Sequence, residues 1–376
     1  MTLFNVLVID QLNKVYQRPG KSAVHAVKNL SMTIFRGETV ALLGSSGCGK
    51  TSTLRMIAGL ESVTSGTITL AGDRIEAKPP SRRGVAMAFE GYSLYPPLTV
   101  RDNIGFALKA QKLAPAEASQ KVMSMAKLVD IEAVLDRYPS SISGGQQQRA
   151  SLARALVREA NLYLLDEPMG QLEPQLRAVL RGRIKSLLNE RGMTAIFVTH
   201  DQTEANALAD RIAVMEGGVL QQFANQKDLK DKPANLFVAT FIGEPPMNVF
   251  EAGVARAGDA LRLSISNGPG LELPAGSVTP AILKALGQRQ RITLGIRPQK
   301  VMITGAGLKG KLTSNQWLGD QSHLAAEFAG KLMIAVSPQR IAARTGDEVA
   351  FSFTAQDLHL FDVDTGQAIS HGMEAA

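Results

Sequence analysis

Gly44-Ser45-Ser46-Gly47-Cys48-Gly49-Lys50-Thr51 fits the pattern G-x-x-x-x-G-K-[ST], and its flanks are those the pattern requires. The apolar run Val40-Ala41-Leu42-Leu43 predicts a buried strand leading into the turn. Thr51-Ser52-Thr53-Leu54-Arg55-Met56-Ile57-Ala58 carries apolar residues at helical spacing and predicts the helix leading out. Glycines there let successive backbone N–H groups converge on phosphate oxygens, and the helix N-terminus adds partial positive charge. Lys50 is then expected to neutralise β/γ-phosphate charge, Thr51 to offer its hydroxyl to Mg²⁺, and Ser45, Ser46, Cys48 and Ser52 to line the same cradle. By itself this turn leaves kinases, GTPases and motors open.

Three later segments narrow the choice. Leu162-Tyr163-Leu164-Leu165 reads as a second buried strand, which places Asp166 and Glu167 at its C-terminal end, where parallel sheets present ligands. One carboxylate there can enter a Mg²⁺ shell while its neighbour accepts a proton from an attacking water. Ala195-Ile196-Phe197-Val198-Thr199 is another apolar run, ending at His200. A lone histidine is more often structural, but this one follows both phosphate motifs at a strand tip, which favours a role at the γ-phosphate. Finally, Ser143-Gly144-Gly145-Gln146 opens a helix whose face runs Ala150, Leu152, Ala153, Ala155 and Leu156, giving a second phosphate-binding surface. One site has no need of two such loops for one γ-phosphate. Two chains arranged head to tail, each lending this loop to the other's nucleotide, would use both.

These motifs together resemble those of the ATP-binding cassette (ABC) ATPases, and more narrowly the subunits that power bacterial sugar and polyol importers. The resemblance spans nearly the whole chain. It is carried by the phosphate loop, Ile142-Ser143-Gly144-Gly145-Gln146-Gln147-Gln148-Arg149, Asp166-Glu167-Pro168 and Thr199-His200-Asp201. Tyr92-Ser93-Leu94-Tyr95-Pro96-Pro97-Leu98-Thr99-Val100, Phe241-Ile242-Gly243-Glu244-Pro245-Pro246-Met247-Asn248 and Gly295-Ile296-Arg297-Pro298 support it. The resemblance implies that Tyr16 stacks on the adenine of ATP, that Glu167 is the general base, and that His200 holds the γ-phosphate and senses its loss. It implies a metal site of Thr51, Glu90 and Asp166 for Mg²⁺, and a homodimer or a heterodimer with a second ABC ATPase. It further implies transmembrane permease subunits met near Tyr92-Val100, a periplasmic solute-binding protein reached only indirectly, and a place on the cytoplasmic face of the bacterial inner membrane. The residues alone leave Tyr16 open as an edge-strand aromatic, and Tyr92-Val100 as a Pro-Pro turn with buried tyrosines.

Two positions depart from the family's usual pattern. Glu90 follows Phe89 where glutamine is common, and Glu173 follows Met169-Gly170-Gln171-Leu172 where aspartate is common. Glu90 keeps an oxygen for Mg²⁺ but adds negative charge, so it should tighten metal binding and repel nucleotide unless metal compensates. Activity is expected, since Glu167 and His200 remain. The departures keep a second reading open: a weakly active half of a heterodimeric ATPase pair, or an ATP-dependent regulatory switch. A soluble ABC protein acting on nucleic acid or the ribosome would show tandem cassettes or a long coiled coil between motifs, and neither is present.

The fold class expected is an α/β P-loop NTPase followed by an all-β, OB-like barrel. The cassette, 1–243, combines a mixed sheet core, an antiparallel β edge up to about Glu38, and a helical subdomain at about 92–162. In that subdomain Val122, Met125, Ala126, Val129, Ile131, Val134 and Leu135 follow helical spacing. Arg211-Met215 and Gly218-Phe223 return to strand character, and Phe237 to Phe241 is expected to close the cassette. The Gly243 to Asn248 stretch reads as a linker. From 244 to 376 short strand candidates alternate with glycine-bearing turns: Val249-Val254, Ala260-Ile265, Arg291-Ile296 and Glu348-Phe353. By resemblance this tail is a regulatory domain that helps hold the dimer.

The chain has 376 residues, 45% of them hydrophobic, enough for two cores. It contains no uninterrupted apolar stretch of the roughly 18 to 20 residues that cross a bilayer, and Met1 to Asp10 lacks the basic head of a signal peptide. A soluble, cytosolic chain is therefore expected, with transport left to other subunits. The single cysteine, Cys48, precludes an internal disulfide. Its place in the phosphate loop predicts that a bulky thiol reagent blocks nucleotide. The net charge of +7 lies almost wholly ahead of Pro245, with 29 basic and 23 acidic residues there against 12 and 11 after it. No basic run interleaves with aromatics, so no nucleic-acid partner is expected.

Overall fold

The structure is a computed structural model that describes residues 5–17, 19–20, 22–91, 93–111, 113–257, 260–265, 270–273, 279–287, 289–304, 306–372 and 374–375. It divides into two compact units, 1–226 and 227–376.

In the first unit, β1 (Asn5–Tyr16), β2 (Val24–Phe35), β4 (Ser65–Leu70) and β5 (Asp73–Arg74) form an antiparallel sheet in the order β2-β1-β4-β5. The second sheet is built on β3 (Thr39–Gly44), β6 (Val85–Ala88), β7 (Leu162–Asp166), β8 (Ala195–Thr199), β9 (Arg211–Glu216) and β10 (Val219–Ala224). Its order is β10-β9-β3-β8-β7-β6, parallel throughout except for the β9–β10 hairpin. Every residue of β3, β7 and β8 is buried, which is why these strands read as unbroken apolar runs. Helix α1 (Lys50–Ala58) puts Leu54, Met56 and Ile57 into one core with Leu7, Ile9 and Leu30 of the antiparallel sheet and Leu42, Leu164 and Ile196 of the parallel one.

The helical segment comprises α2 (Val100–Gly105), α3 (Pro115–Leu128) and α4 (Gly144–Leu156). Val122, Met125 and Ala126 form the buried face of α3, as their spacing predicts, and Ile131, Val134 and Leu135 are buried around a short 3₁₀ turn. Helix α5 (Pro174–Glu190) runs between β7 and β8, and α6 (Gln202–Leu208) follows β8.

The second unit begins within α7 (Gln226–Asp231), at Lys227, and takes in α8 (Leu236–Phe241). The division thus falls earlier than the linker at 243/244, and Phe237–Phe241 does not group with the cassette. The reason is polar as well as apolar. Arg297, 4% exposed, donates to the carbonyls of Lys230, Ala239 and Ile242. Ala239 packs with Met247 and Phe361.

The rest of this unit is mostly β. One sheet has the order β13-β12-β11-β14-β20-β21-β22, formed by Gly270–Leu273 (β13), Ala260–Ile265 (β12), Asn248–Ala257 (β11), Arg291–Ile296 (β14), Leu358–Phe361 (β20), Ala368–His371 (β21) and Glu374–Ala375 (β22). The other has the order β15-β19-β16-β17-β18, formed by Met302–Thr304 (β15), Glu348–Ser352 (β19), Leu308–Trp317 (β16), Ser322–Phe328 (β17) and Lys331–Ser337 (β18). Helix α9 (Pro280–Leu286) adds Ile282 and Leu286 to a core shared by both sheets, with Phe250, Leu263 and Leu294 from one and Leu312, Leu324 and Phe351 from the other. All four predicted strands of the tail are present.

Candidate functional site

The parallel strands deliver three segments to one edge. β3 ends at Gly44, β7 at Asp166 and β8 at Thr199; the register pairs Leu43 with Thr199 and Asp166 with Val198. The C-terminal ends of neighbouring strands therefore carry the Gly44–Thr51 turn, the Asp166-Glu167 pair and His200.

Within the turn, close approach dictates the glycines. A Cβ on Gly44 would lie 2.2 Å from the Met215 carbonyl oxygen and 2.6 Å from Cys48 Sγ. Gly49 has φ +102° at the N-cap of α1, and a Cβ there would stand 2.4 Å from the Ala26 carbonyl oxygen. A Cβ on Gly218, in the β9–β10 turn, would meet the same Ala26 oxygen at 2.8 Å. Nothing lies within 4 Å of the space a Cβ on Gly47 would take, so the loop is open at that point. Lys50, only 7% exposed, folds its Nζ back onto the carbonyls of Gly44 and Ser45, 2.8 Å from each. Ser45 Oγ donates to Glu216 at 2.5 Å. Ser46 is exposed.

Thr51 Oγ1 donates to Asp166 Oδ1 at 3.4 Å. Asp166 is 2% exposed, and its pKa is pushed up to about 6, by burial first and then by the negative charge of Glu90; Arg55 offsets part of this. Glu90 lies two residues beyond β6, whose Ala88 is paired with Leu165. Strand register thus brings the sequence-distant Glu90 beside Asp166. Excess negative charge at a buried carboxylate next to a threonine hydroxyl is an environment that a divalent cation would relieve. Among the described residues no group of three or more His, Cys, Asp or Glu side chains could hold a metal by itself. A cation here would have to complete its shell with phosphate oxygens and water.

Glu167 adopts φ +44°, with its N–H bonded to the Val198 carbonyl at 3.1 Å. His200 Nδ1 lies 3.2 Å from Glu167 Oε1, and the His200 side chain is 67% exposed. Tyr16 closes β1, and its hydroxyl is 3.1 Å from Ser52 Oγ on α1, so the edge strand and the helix after the glycine turn meet there.

The second glycine motif is bound up with itself. Ser143 is the N-cap of α4: its Oγ accepts from Gln146 N–H, and Gln146 Oε1 accepts from Ser143 N–H at 2.9 Å. This capping box secures the helix N-terminus, a contribution of roughly 1 kcal/mol. Gly144 and Gly145 form the first turn behind it.

Cys48 is 2% exposed and burial pushes its thiol pKa up, with Lys50 opposing. The loop position invites a thiol reagent, but the side chain is shielded and less ionised than a free thiol. Two further residues organise the site: Arg177, which no motif contains, and Gln148, whose motif assigns it no task of its own. Arg177 on α5 donates to the carbonyls of Gly170 and Leu172 and pairs with Asp201 at 3.3 Å. Gln148 bonds to the backbone at Glu167 and Gln171. Neither carries a local signal, because each acts on main chain brought close only by folding.

A cavity of about 1250 Å³ lies elsewhere, lined among others by Gly84, Asn161 and Thr194 ahead of β6, β7 and β8. None of the residues of the Gly44–Thr51 turn, nor Asp166, Glu167 or His200, borders it, and parallel sheets carry their chemistry at the other strand ends.

Known proteins resemble this chain along nearly its whole length. The ABC transporter family profile matches residues 27–170, and the TOBE domain profile matches 294–361. The trehalose import ATP-binding protein of Mycobacterium tuberculosis is 38% identical, with 96% of this chain and 97% of that protein covered. This chain belongs to the ATP-binding proteins of ABC transporters. The ABC subunit is accordingly an ATPase. The xylose/arabinose import ATP-binding protein of Haloferax volcanii is also 38% identical, covering 97% of this ABC chain and 95% of its own length. The lactose transport ATP-binding protein of Rhizobium radiobacter is 37% identical over 92% and 96%. Among solved structures, a dimeric ATP-binding cassette in a post-hydrolysis state with ADP and Pi aligns with TM-score 0.55 at 26% identity. It covers 58% of the ABC subunit and 98% of the cassette. No helix among the described residues is long and apolar enough to cross a membrane.

Proposed function

We propose that this chain is the ATP-hydrolysing subunit of a bacterial importer for a carbohydrate or polyol, acting as a dimer on separate permease subunits at the cytoplasmic face of the inner membrane. The observation that carries the reading is the convergence of Lys50, Thr51, Asp166, Glu167 and His200 on one edge of the parallel sheet. The substrate class rests on relatives named for trehalose, xylose/arabinose and lactose.

In this reading the N–H groups of residues 45–51 and Lys50 bind the phosphates of ATP, and Tyr16 packs on adenine. Thr51, Asp166 and Glu90 would hold Mg²⁺, with phosphate oxygens and water completing its shell. When bound, the cation neutralises charge on the β- and γ-phosphates. Glu167 accepts the proton of the attacking water, and His200 orients Glu167 and contacts the γ-phosphate. Phosphoryl transfer asks for little more than positioning and charge stabilisation. Ser143–Gln146 meets the nucleotide held by a second chain, which gives the capped helix end a ligand its own chain does not supply.

The permease contact expected at Tyr92–Val100 begins at a residue outside the described set. From Ser93 onward, Tyr95 and Phe106 pair at 4.7 Å between ring centroids, and each is 44% exposed. Asn103 pins the turn beneath by bonding the backbone of Tyr95, Leu98 and Thr99. An exposed aromatic pair on a rigid turn suits a protein interface.

The test is ATP hydrolysis by the purified chain as a function of its concentration, with Glu167→Gln as control. The rate should rise faster than linearly and fall by about 100-fold or more in the control, with ATP binding kept. A Glu167→Gln chain that turns over at the parental rate would remove Glu167 from the role of base.

A further inference from the structure

Gln148 is 3% exposed in the second turn of α4, and both ends of its amide are bonded. Nε2 donates to the carbonyl of Glu167 at 2.8 Å, and Oε1 accepts from the N–H of Gln171 at 3.1 Å. Only one orientation of the amide serves both partners, because one needs a donor and the other an acceptor. These bonds span the loop that carries the base.

That loop needs holding. Glu167 sits at φ +44°, a left-handed conformation that costs a residue with a Cβ about 1 kcal/mol or more and persists only where surroundings enforce it. Its N–H is fixed by Val198 on β8, and its carbonyl is fixed by Gln148 and by the N–H of Gly170 at 3.3 Å. Arg177 grips the far side through the carbonyls of Gly170 and Leu172. Of these supports, Gln148 alone comes from the helix that opens at Ser143.

We infer that Gln148 is a positioning residue for Glu167, tying the orientation of the base to the signature helix of the same chain. The inference rests on the reading of Glu167 as base and of Ser143–Gln146 as a surface for the second chain's nucleotide. If α4 shifts when its N-terminus engages that nucleotide, the amide of Gln148 carries the displacement to the Glu167 main chain. Hydrolysis at one nucleotide then depends on occupancy of the other. Misplacing a reacting group by about 1 Å costs on the order of 100-fold, so a single lost bond at this point is enough to matter.

The experiment uses the full chain with Gln148→Glu, which keeps the size and the acceptor for Gln171 but loses the donor to Glu167. The expected result is a kcat lower by about 10-fold or more, an ATP KM within about 2-fold, and a reduced Hill coefficient for ATP. Gln148→Met, of similar volume and without either bond, should give the same split if the glutamate variant does not fold. In a Glu167→Gln background neither change should lower the residual rate further, because a residue acting through Glu167 has nothing left to position. An unchanged kcat, a fall in kcat accompanied by equal losses of ATP affinity and thermal stability, or a further full-size fall in the Glu167→Gln background would each overturn the inference. The base assignment itself fails on a different result, parental turnover by Glu167→Gln alone.

Discussion

His200 Nδ1 stands 3.2 Å from Glu167 Oε1, across the tips of two adjacent parallel strands. A carboxylate can only accept, so this contact puts the imidazole proton on Nδ1 and leaves Nε2 as the second ring nitrogen available to a ligand. His200 is mostly exposed and contributes little packing.

His200→Ala should therefore separate activity from stability. ATP turnover is expected to fall by roughly 100-fold while the melting temperature stays within about 1 °C. Parallel hydrolysis and thermal-melt measurements check this, and a large loss of stability would contradict it.

Glu90→Gln tests the departure beside the metal position. Glu90 raises the pKa of Asp166, so removing its charge should lower that pKa and reduce repulsion of the phosphates. ATP binding in EDTA should tighten by about 5-fold, the size of one partly screened charge interaction, and the Mg²⁺ needed for half-maximal turnover should rise. Titrating nucleotide with and without Mg²⁺ reads both effects.

The second unit should be acid-sensitive through His359. Burial, then His371 at 3.0 Å between the Nδ1 atoms, then Arg297, lowers its pKa from 6.5 to about 3, with Asp357 opposing. Between these values the unfolded chain binds the proton and the folded chain does not, so stability rises with pH across the window. Acidification from pH 6.5 toward 3 should cost about 1.4 kcal/mol per pH unit from this group, and no further loss from it is expected below about 3. His359→Gln should flatten that part of the stability profile, followed by denaturant melts at several pH values.

Arg297→Met leaves three backbone carbonyls without their donor, those of Lys230, Ala239 and Ile242. Each orphaned group costs about 1–3 kcal/mol unless water reaches it. A drop of several degrees in the melting transition of the second unit is expected, with protease sensitivity appearing first between 227 and 242. Differential scanning calorimetry combined with limited proteolysis would show whether both occur.

The readable parts of this molecule are those in which sequence neighbours share one task. Val40–Leu43, Leu162–Leu165 and Ala195–Thr199 announce themselves because a strand covered on both faces has no reason to alternate. The phosphate turn, Asp166, Glu167 and His200 follow from those strands directly. Helix α8 carries no such sign: its apolar residues suit either unit, and the arginine that claims the carbonyls of Ala239 and of its C-cap Ile242 lies 55 to 58 residues further on. The roles of Gln148 and Arg177 are not legible for a related reason, since their main-chain partners look the same at every residue. Ser143 and Gln146 were legible as a helix start, and the capping box they form is the local reason that motif opens a helix.

The Ala26 carbonyl, closed upon by Gly49 from one direction and by Gly218 from another, works as a gauge block. Val24 and His25 beside it pair with Tyr16 and Val15, so one piece of main chain sets the spacing between the strand bearing the tyrosine and the turn bearing the lysine. Side chains along β2 can drift without altering that distance. A methyl group at Gly218, outside the turn itself, would press on that main chain from the far side, shifting the two relative to each other while every residue of the turn stayed the same.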